Sequence, residues 1–423
     1  MKARTSWRLQ FWLLLLACSG PGPADDTAAL PDDSPADLFA PPCADGGWGE
    51  IEDDLVDTGL HVQATAEAGG DGTKERPFQT IDDALVSSRA GGAKAILIWP
   101  GGYTASLDLG GTLGDDALRI QGCSAAEVVL TAPDSGSPVV KVSDALDMDL
   151  RGLTLSGGRR GLWVWQGSTI TVSNVTAQGN QLVGIVIDGS GTVATLSGIV
   201  VSDPVAVSGA GGFGIAVQNA SATLSNLVIT SATEIGLLID GGDADVVVDN
   251  IEVVGTASRE DGTFGRGIRV QERASAVISN AVLTENHDAG IFGLGATSLS
   301  LSGIQVTDVR SAEIPGSDDT SGDGIVISDS PDQEPYDAIY FQASLEDATV
   351  LSASRVGVLL TGNGLAVSLA NVLITPSSED PGGGLPLVQG EASVEESLVY
   401  DLDAVGLTFA FTPTPAEVDD FVD

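Results

Sequence analysis

Positive charge is what this 423-residue chain lacks: 18 Lys and Arg stand against 59 Asp and Glu, a formal net charge of -41. Only four of the basic residues are lysines, and Lys141 is the last of them. A nucleic-acid binder needs a basic stripe to neutralise phosphates, so that class of partner is excluded. Long apolar runs are also missing after residue 20, because Gly, Asp, Ser or Asn interrupts them every few residues. No later segment therefore has the length of apolar helix that crosses a bilayer. Histidine is scarce, with two residues, and cysteine nearly so, with three.

Glycine is plentiful, at 54 residues, and its placement is periodic. Gly161-Leu162-Trp163-Val164, Gly184-Ile185-Val186-Ile187, Gly214-Ile215-Ala216-Val217, Gly236-Leu237-Leu238-Ile239 and Gly267-Ile268-Arg269-Val270 open successive segments, followed by segments at Gly290, Gly324, Gly357, Gly384 and Gly406. The intervals run from about 22 to about 34 residues, one turn of a coil plus loops of varying length. About a dozen residues after most of these glycines comes a second apolar run ending in Asn or Gly, as at Asn174, Gly198, Asn226, Asn250, Asn280, Gly303 and Asn371. Asn and Gly are the residues that most readily take the left-handed backbone of a tight corner. A third run follows at once, as in Leu227-Val228-Ile229. Three short strands per turn, period-two alternation and a sharp corner predict an all-β chain: a right-handed, single-stranded parallel β-helix of about ten or more rungs.

These glycine and Asn signatures resemble the pectin-lyase-like superfamily of right-handed β-helices over roughly residues 75–410. That superfamily includes pectate lyases, polygalacturonases, epimerases, phage tailspikes and adhesins, so the resemblance implies a fold and leaves the activity to be argued from a site. Gly69-Gly70-Asp71-Gly72-Thr73, Pro77-Phe78-Gln79-Thr80-Ile81 and Ala95-Ile96-Leu97-Ile98-Trp99-Pro100-Gly101-Gly102-Tyr103 resemble the N-terminal cap of bacterial β-helix proteins. Thr80 and Asp83 have the spacing of a helix N-cap, and Ile81, Ala84, Leu85 and Ser88 fall on one helical face that can close the open end of the coil. The glycine run at 69–72 lacks the Lys-Ser or Lys-Thr ending of a phosphate loop and is a turn.

The first residues have a different character. Lys2, Arg4 and Arg8 precede the apolar stretch Phe11 to Leu16, the pattern of an export signal over residues 1–17. Leu15-Leu16-Ala17-Cys18 resembles a bacterial lipobox, which implies lipidation of Cys18, a membrane anchor and, with Ser19 following, an outer-membrane lipoprotein of the cell envelope, periplasmic or surface-exposed. A plain secretory signal is the alternative. Residues 18–42, rich in Pro, Asp and Ala, read as an extended tether. Cys43 and Cys123 form the simplest disulfide pair of an exported chain, the alternative being two buried thiols. The cap and first rungs then occupy residues 43–145, the β-helix repeats 146–412 and an acidic tail 413–423.

Catalytic signatures are thin. The Gly-His-Gly and Arg-Ile-Lys patterns implied for glycosidases of this fold are absent, and Arg119-Ile120-Gln121 only partly matches the second, which argues against a polygalacturonase. His287, in Glu285-Asn286-His287-Asp288, reads as an ordinary loop residue. Alternation along the first strand of each rung predicts two outward columns. One holds Trp163, Val186, Ala216, Leu238, Arg269, Phe292 and Val326; the next holds Trp165, Asp188, Gln218, Asp240, Gln271 and Ser328. Two rungs put Asp188 and Asp240 roughly 10 Å apart, too far to share one calcium but compatible with an inverting acid and base, with Arg269 as a third candidate. Trp163 and Trp165 form an outward aromatic pair suited to stacking on a ligand, or to cover by the loop after Gly157 or the preceding cap. Asp319 and Asp323 follow the first half of a calcium loop, yet Ser330 stands where the bidentate Glu belongs. No other cofactor is indicated. The residues favour an envelope-anchored, noncatalytic scaffold that binds glycan or an envelope protein; the alternative is a polysaccharide lyase, glycoside hydrolase or epimerase working on the first-strand face.

Overall fold

A computed structural model describes residues 53–311, 322–328, 341–355, 357–361, 365–375, 388–391, 400–404 and 407–411. The repeat coils into two parallel sheets, one of 14 strands and one of 11. The 11-stranded sheet collects the first strand of each rung, among them Arg160–Trp165, Val183–Asp188, Phe213–Gln218, Ile235–Asp240, Arg266–Gln271, Ala289–Leu294 and Asp323–Ser328. The 14-stranded sheet collects the second and third, which run on as single long strands such as Thr169–Gln178, Val193–Ser202 and Ser221–Thr230.

The predicted corner lies inside these long strands. Asn174, Asn226, Asn250, Asn280 and Asn371 have φ between 53° and 58°, and Gly198 and Gly303 take the same place at 63° and 62°. The ladder pairs Ser173 with Ser197 and Val175 with Ile199, skipping the corner residue, so one left-handed residue bends the strand without breaking its hydrogen bonding. Asn250 donates from Nδ2 to Asn226 Oδ1 at 2.8 Å, joining neighbouring corners along the coil.

Rung glycines answer a different demand. A Cβ built on Gly184, Gly214, Gly236, Gly267 or Gly290 would lie 2.5–2.7 Å from the carbonyl oxygen of the next rung's glycine. The same Cβ would press on an aliphatic side chain of the opposite sheet, Val201, Ile229, Val253, Leu283 or Val306, at 2.5–2.7 Å. Glycine is required there because the two sheets converge, and the backbone φ is not the reason.

Inward positions stack into one continuous core from Leu60 to Val372. The column Ile170, Ala194, Ala222, Val246, Ala276 and Leu299 is in unbroken register, each residue 5% exposed or less. At the N-terminal end, helix α2 (Ile81–Arg89) is capped by Thr80, whose Oγ1 accepts from the Asp83 amide and donates to the Asp83 carboxylate at 2.7 Å. Its buried face is Ile81, Ala84, Leu85 and Ser88, and the three apolar residues join the main core. A short helix α1 (Asp53–Thr58) and a strand Leu60–Val62 precede it; that strand pairs in parallel with Ala95–Ile98, so the sheet begins earlier than the repeat pattern indicates. His61, buried on this strand, donates from Nε2 to the Val56 carbonyl at 2.9 Å and accepts from Trp99 Nε1 at 3.1 Å.

Cys123 is buried and disulfide-bonded; Cys18 and Cys43 lie outside the described residues. The far end departs from the predicted repeat: Tyr400–Ala404 and Leu407–Phe411 pair antiparallel in a sheet of their own instead of adding a parallel rung at Gly406. Among the described residues no helix is long and apolar enough to cross a membrane.

Candidate functional site on the outer face of the 11-stranded sheet

The first predicted outward column exists in full register; in the second, Asp188, Gln218, Asp240 and Gln271 follow in order, but Leu294 stands between Gln271 and Ser328. Trp163 pairs with Val186, then Ala216, Leu238, Arg269, Phe292 and Val326 follow in order. These residues point out of the coil, but the middle of the column does not meet water. Val186, Ala216 and Leu238 are 2–5% exposed and form a second apolar cluster with Val183 and Ile235, against which Trp163, Leu182 and Phe213 pack. The hairpin of Ala206–Val207 and Ala210–Gly211 stands beside it, with Gly211 close against Leu182. Three consecutive apolar residues in an outward column were the signal for this cover.

The covered stretch separates two sites. At the N-terminal end Trp163 and Trp165 stack with ring centroids 4.8 Å apart and planes 26° off parallel. Arg160, at the end of the loop after Gly157, lies 4.5 Å from the centre of the Trp163 ring, and Lys141 lies 5.7 Å from that of Trp165. Both tryptophans are half-buried. Two donors on this platform, Trp165 Nε1 and Arg160 Nε, are buried without an acceptor. Burial and then repulsion from Arg159 push the Arg160 guanidinium below its ordinary pKa, with Asp188 opposing them.

Toward the C-terminal end three arginines gather around two phenylalanines. Arg266 lies 3.6 Å from the Phe292 ring centre, Arg259 lies 4.2 Å from that of Phe264, and Arg269 lies 5.3 Å and 5.9 Å from Phe264 and Phe292. Arg266 pairs with Asp288 at 2.6 Å, and Arg259 with the fully buried Glu234 at 2.6 Å. Among the described residues Arg269 has no ion pair, and its Nε is buried without an acceptor. Burial, reinforced by repulsion from Arg266, lowers its pKa to about 10, so it remains a cation at neutral pH. Loop residues Arg259 and Phe264 are invisible to strand alternation, and only the local density of Arg and Phe hints at them.

Asp188 and Asp240 keep the two-rung spacing that alternation predicts. Gln218 stands between Asp188 and Asp240 in the ladder. Asp240 accepts from Gln218 Nε2 at 3.4 Å and Gln271 Nε2 at 2.9 Å, one on each oxygen, which holds it as an acceptor. Arg269 is two residues from Gln271 on the same strand, in the neighbouring outward column. Asp323, a calcium candidate, is 3% exposed, and both its oxygens go to the Arg355 guanidinium, with Nε donating to Oδ1 at 2.7 Å. That pairing places a guanidinium cation against the carboxylate, where a calcium ion would be repelled; Asp319 lies outside the described residues. Among the described residues no three His, Cys, Asp or Glu side chains converge as a metal site. His287 bridges in the backbone to Arg310 and has its pKa lowered by burial and by that arginine.

A family model described as the right-handed β-helix region matches residues 160–314. Among solved structures, the catalytic domain of a GH87 α-1,3-glucanase in complex with nigerose is similar at 14% identity, over 84% of this chain and 70% of that one, with a TM-score of 0.52. The same catalytic domain in complex with tetrasaccharides gives 14% identity, the same coverage and a TM-score of 0.50. The A-module of a mannuronan C-5 epimerase from Azotobacter vinelandii is 16% identical over 77% of this chain and 93% of that one, with a TM-score of 0.45. No curated protein matches the chain. Identities this low speak to the fold alone, and together with the family match, the two parallel sheets and the stacked corners they make the chain a right-handed parallel β-helix.

Proposed function

We propose that this protein is a noncatalytic, envelope-anchored scaffold that binds glycan on the outer face of its 11-stranded sheet, at the Trp163 and Trp165 platform. The carrying observation is the pair of donors, Trp165 Nε1 and Arg160 Nε, buried without acceptors beside a half-buried indole stack. A sugar offers what this surface lacks: hydroxyl and ring oxygens to accept from the two donors, and an apolar ring face to lie on an indole. A polysaccharide partner accords with the fold's solved neighbours, whose structures hold nigerose or tetrasaccharides. Asp240, held by two amides, supports binding over acid catalysis. In this reading Cys18 carries the lipid, residues 18–42 form the tether, and a Cys43 to Cys123 disulfide fixes the start of the domain to an early rung.

The test is a glycan array and a depolymerisation assay on the intact chain beside a Trp163→Ala, Trp165→Ala double variant. Binding without cleavage, weakened at least about tenfold (~1.4 kcal/mol) in the variant, is the expected result. Release of shortened or unsaturated chains would overturn the noncatalytic reading, and equal binding by the variant would overturn the site.

A further inference from the structure

The outer face of the 14-stranded sheet plays no part in the glycan reading, and its composition is at odds with so acidic a chain. The first half of each long strand presents three outward residues, and the ladder keeps them in three unbroken columns. The central column runs Thr171, Thr195, Thr223, Val247, Val277 and Ser300. Over those six rungs Asp245 and Asp249 are the only charges in eighteen outward positions, where a solvated surface carries about a quarter to a third. Val193, Val247 and Val277 on this face are 44–47% exposed, three of the nine large apolar side chains left exposed among the described residues. Charge gathers at the two ends instead. One rung before Thr171, Arg119 and Arg151 share the Asp149 carboxylate, their Nε atoms donating at 3.0 Å and 2.6 Å to its separate oxygens. One rung after Ser300 stand the exposed Glu346 and Gln342, in the columns of Arg151 and Asp147.

We propose that two copies of this chain pair through this face, with their coil axes antiparallel. A two-fold axis along the strands reverses the order of the rungs and keeps each column opposite itself, so the contacts are isologous. Glu346 of each copy then meets Arg151 of the other, and Gln342 meets Asp147. Asp245 and Asp249 meet the hydroxyls of Ser221 and Ser225, and each exposed valine meets a Thr or Ser. Slipped by one rung toward the C-terminal end, Asp245 and Asp249 of the two copies would face each other, which sets the register. Three columns about 6.7 Å apart and eight rungs about 4.8 Å apart span about 20 Å by about 38 Å. That is about 750 Å² per copy, against about 800 Å² per partner in a stable complex of standard size. The side chains are small and even in height, so the two sheets can approach to about 10 Å. Because the core lies between the two sheets of each coil, pairing leaves both 11-stranded faces open, whatever they bind.

The experiment is sedimentation velocity of the intact chain at micromolar concentration, in detergent so that a lipid on Cys18 cannot drive association. It compares wild type, Thr223→Glu and Glu346→Gln. Wild type is expected to sediment as a dimer. Thr223→Glu places a carboxylate opposite Val247, between Asp245 and Asp249 of the other copy, and should weaken pairing at least about tenfold. Thr223 is exposed, so the variant's melting temperature at monomeric dilution should match wild type. Should it fall, Thr195→Glu, one rung away and also exposed, carries the test. Glu346→Gln removes two symmetric pairs of ordinary surface strength and should weaken pairing about two- to thirtyfold. A wild-type monomer, or a dimer that carboxylates at Thr223 and Thr195 leave as tight, overturns the proposal. Pairing unchanged or tightened by Glu346→Gln overturns the antiparallel arrangement, tightening being the mark of a same-end packing that sets Glu346 against itself.

Discussion

Replacing Glu234 with alanine should loosen the loops over the outer face while leaving the coil intact. Glu234 is fully buried, with φ of 70°. Its carboxylate accepts from the Gly211 amide on one oxygen and pairs with Arg259 at 2.6 Å on the other. Its backbone accepts from the amides of Gly265 and Arg266, each at 2.9 Å, and donates to the Ala257 carbonyl at 2.9 Å. One residue thus joins the hairpin ending at Gly211 to the segment 255–266. Breaking a buried ion pair costs about 3–5 kcal/mol because the surviving charge is stranded. The Arg259 side chain is 27% exposed, so water recovers part of that cost, and about 2–3 kcal/mol is expected. The loss should be local, since neither partner belongs to the main core. Hydrogen exchange at 255–266 should rise while the ladder amides of Val246–Val254 stay protected. A double-mutant cycle with Arg259→Ala should give a coupling of about 1–2 kcal/mol. Additivity within about 0.5 kcal/mol, or exchange rising equally through the ladder, would refute the reasoning.

Gly236→Ala should destabilise by about 1–3 kcal/mol, read from thermal melts, because its Cβ would lie 2.5 Å from both Val253 Cγ1 and the Gly267 carbonyl oxygen. Gly242→Ala, whose Cβ meets nothing nearer than Arg273 Cβ at 3.8 Å, should stay within about 0.5 kcal/mol of wild type; equal losses would show that crowding is not the cause. His61 has its pKa lowered from 6.5, chiefly by burial, so its neutral form stabilises the native cap. That contribution is complete above pH 6.5 and is lost as pH falls through the depressed native value. Denaturant titrations should show wild type losing stability relative to His61→Gln on acidification below 6.5, and parallel curves would refute the assignment.

What the sequence made legible was whatever obeys a period. Alternation placed Trp163, Arg269 and Phe292 in one column, and helical spacing placed Ile81, Ala84, Leu85 and Ser88 on one face, because in each case backbone geometry dictates direction. Direction is not environment. Alternation states that Val186 leaves the coil; it cannot state that Leu182, just ahead of its strand, and Phe213 and Ile235, at the first positions of theirs, will pack around that outward column. The same limit hid Glu234, a residue type expected in water, and the pairing of Asp323 with Arg355 across more than thirty residues. The antiparallel pairing of Tyr400–Ala404 with Leu407–Phe411 escaped for a related reason: apolar alternation is the same in parallel and antiparallel strands.

The stacked glycines bear on how such a protein can change over evolutionary time. Rung intervals vary by about a dozen residues, yet each turn returns to a glycine lying against the next glycine's carbonyl. Residues inserted between Gly255 and Gly265 leave that alignment untouched, whereas one residue inserted after Gly236 would turn Leu237 and Ile239 outward and bring Leu238 into the core. Length can therefore drift freely on one flank of the molecule and hardly at all on the other. New binding chemistry is most readily acquired by lengthening the segments that already carry Arg259 and Phe264, with each trial confined to a single turn.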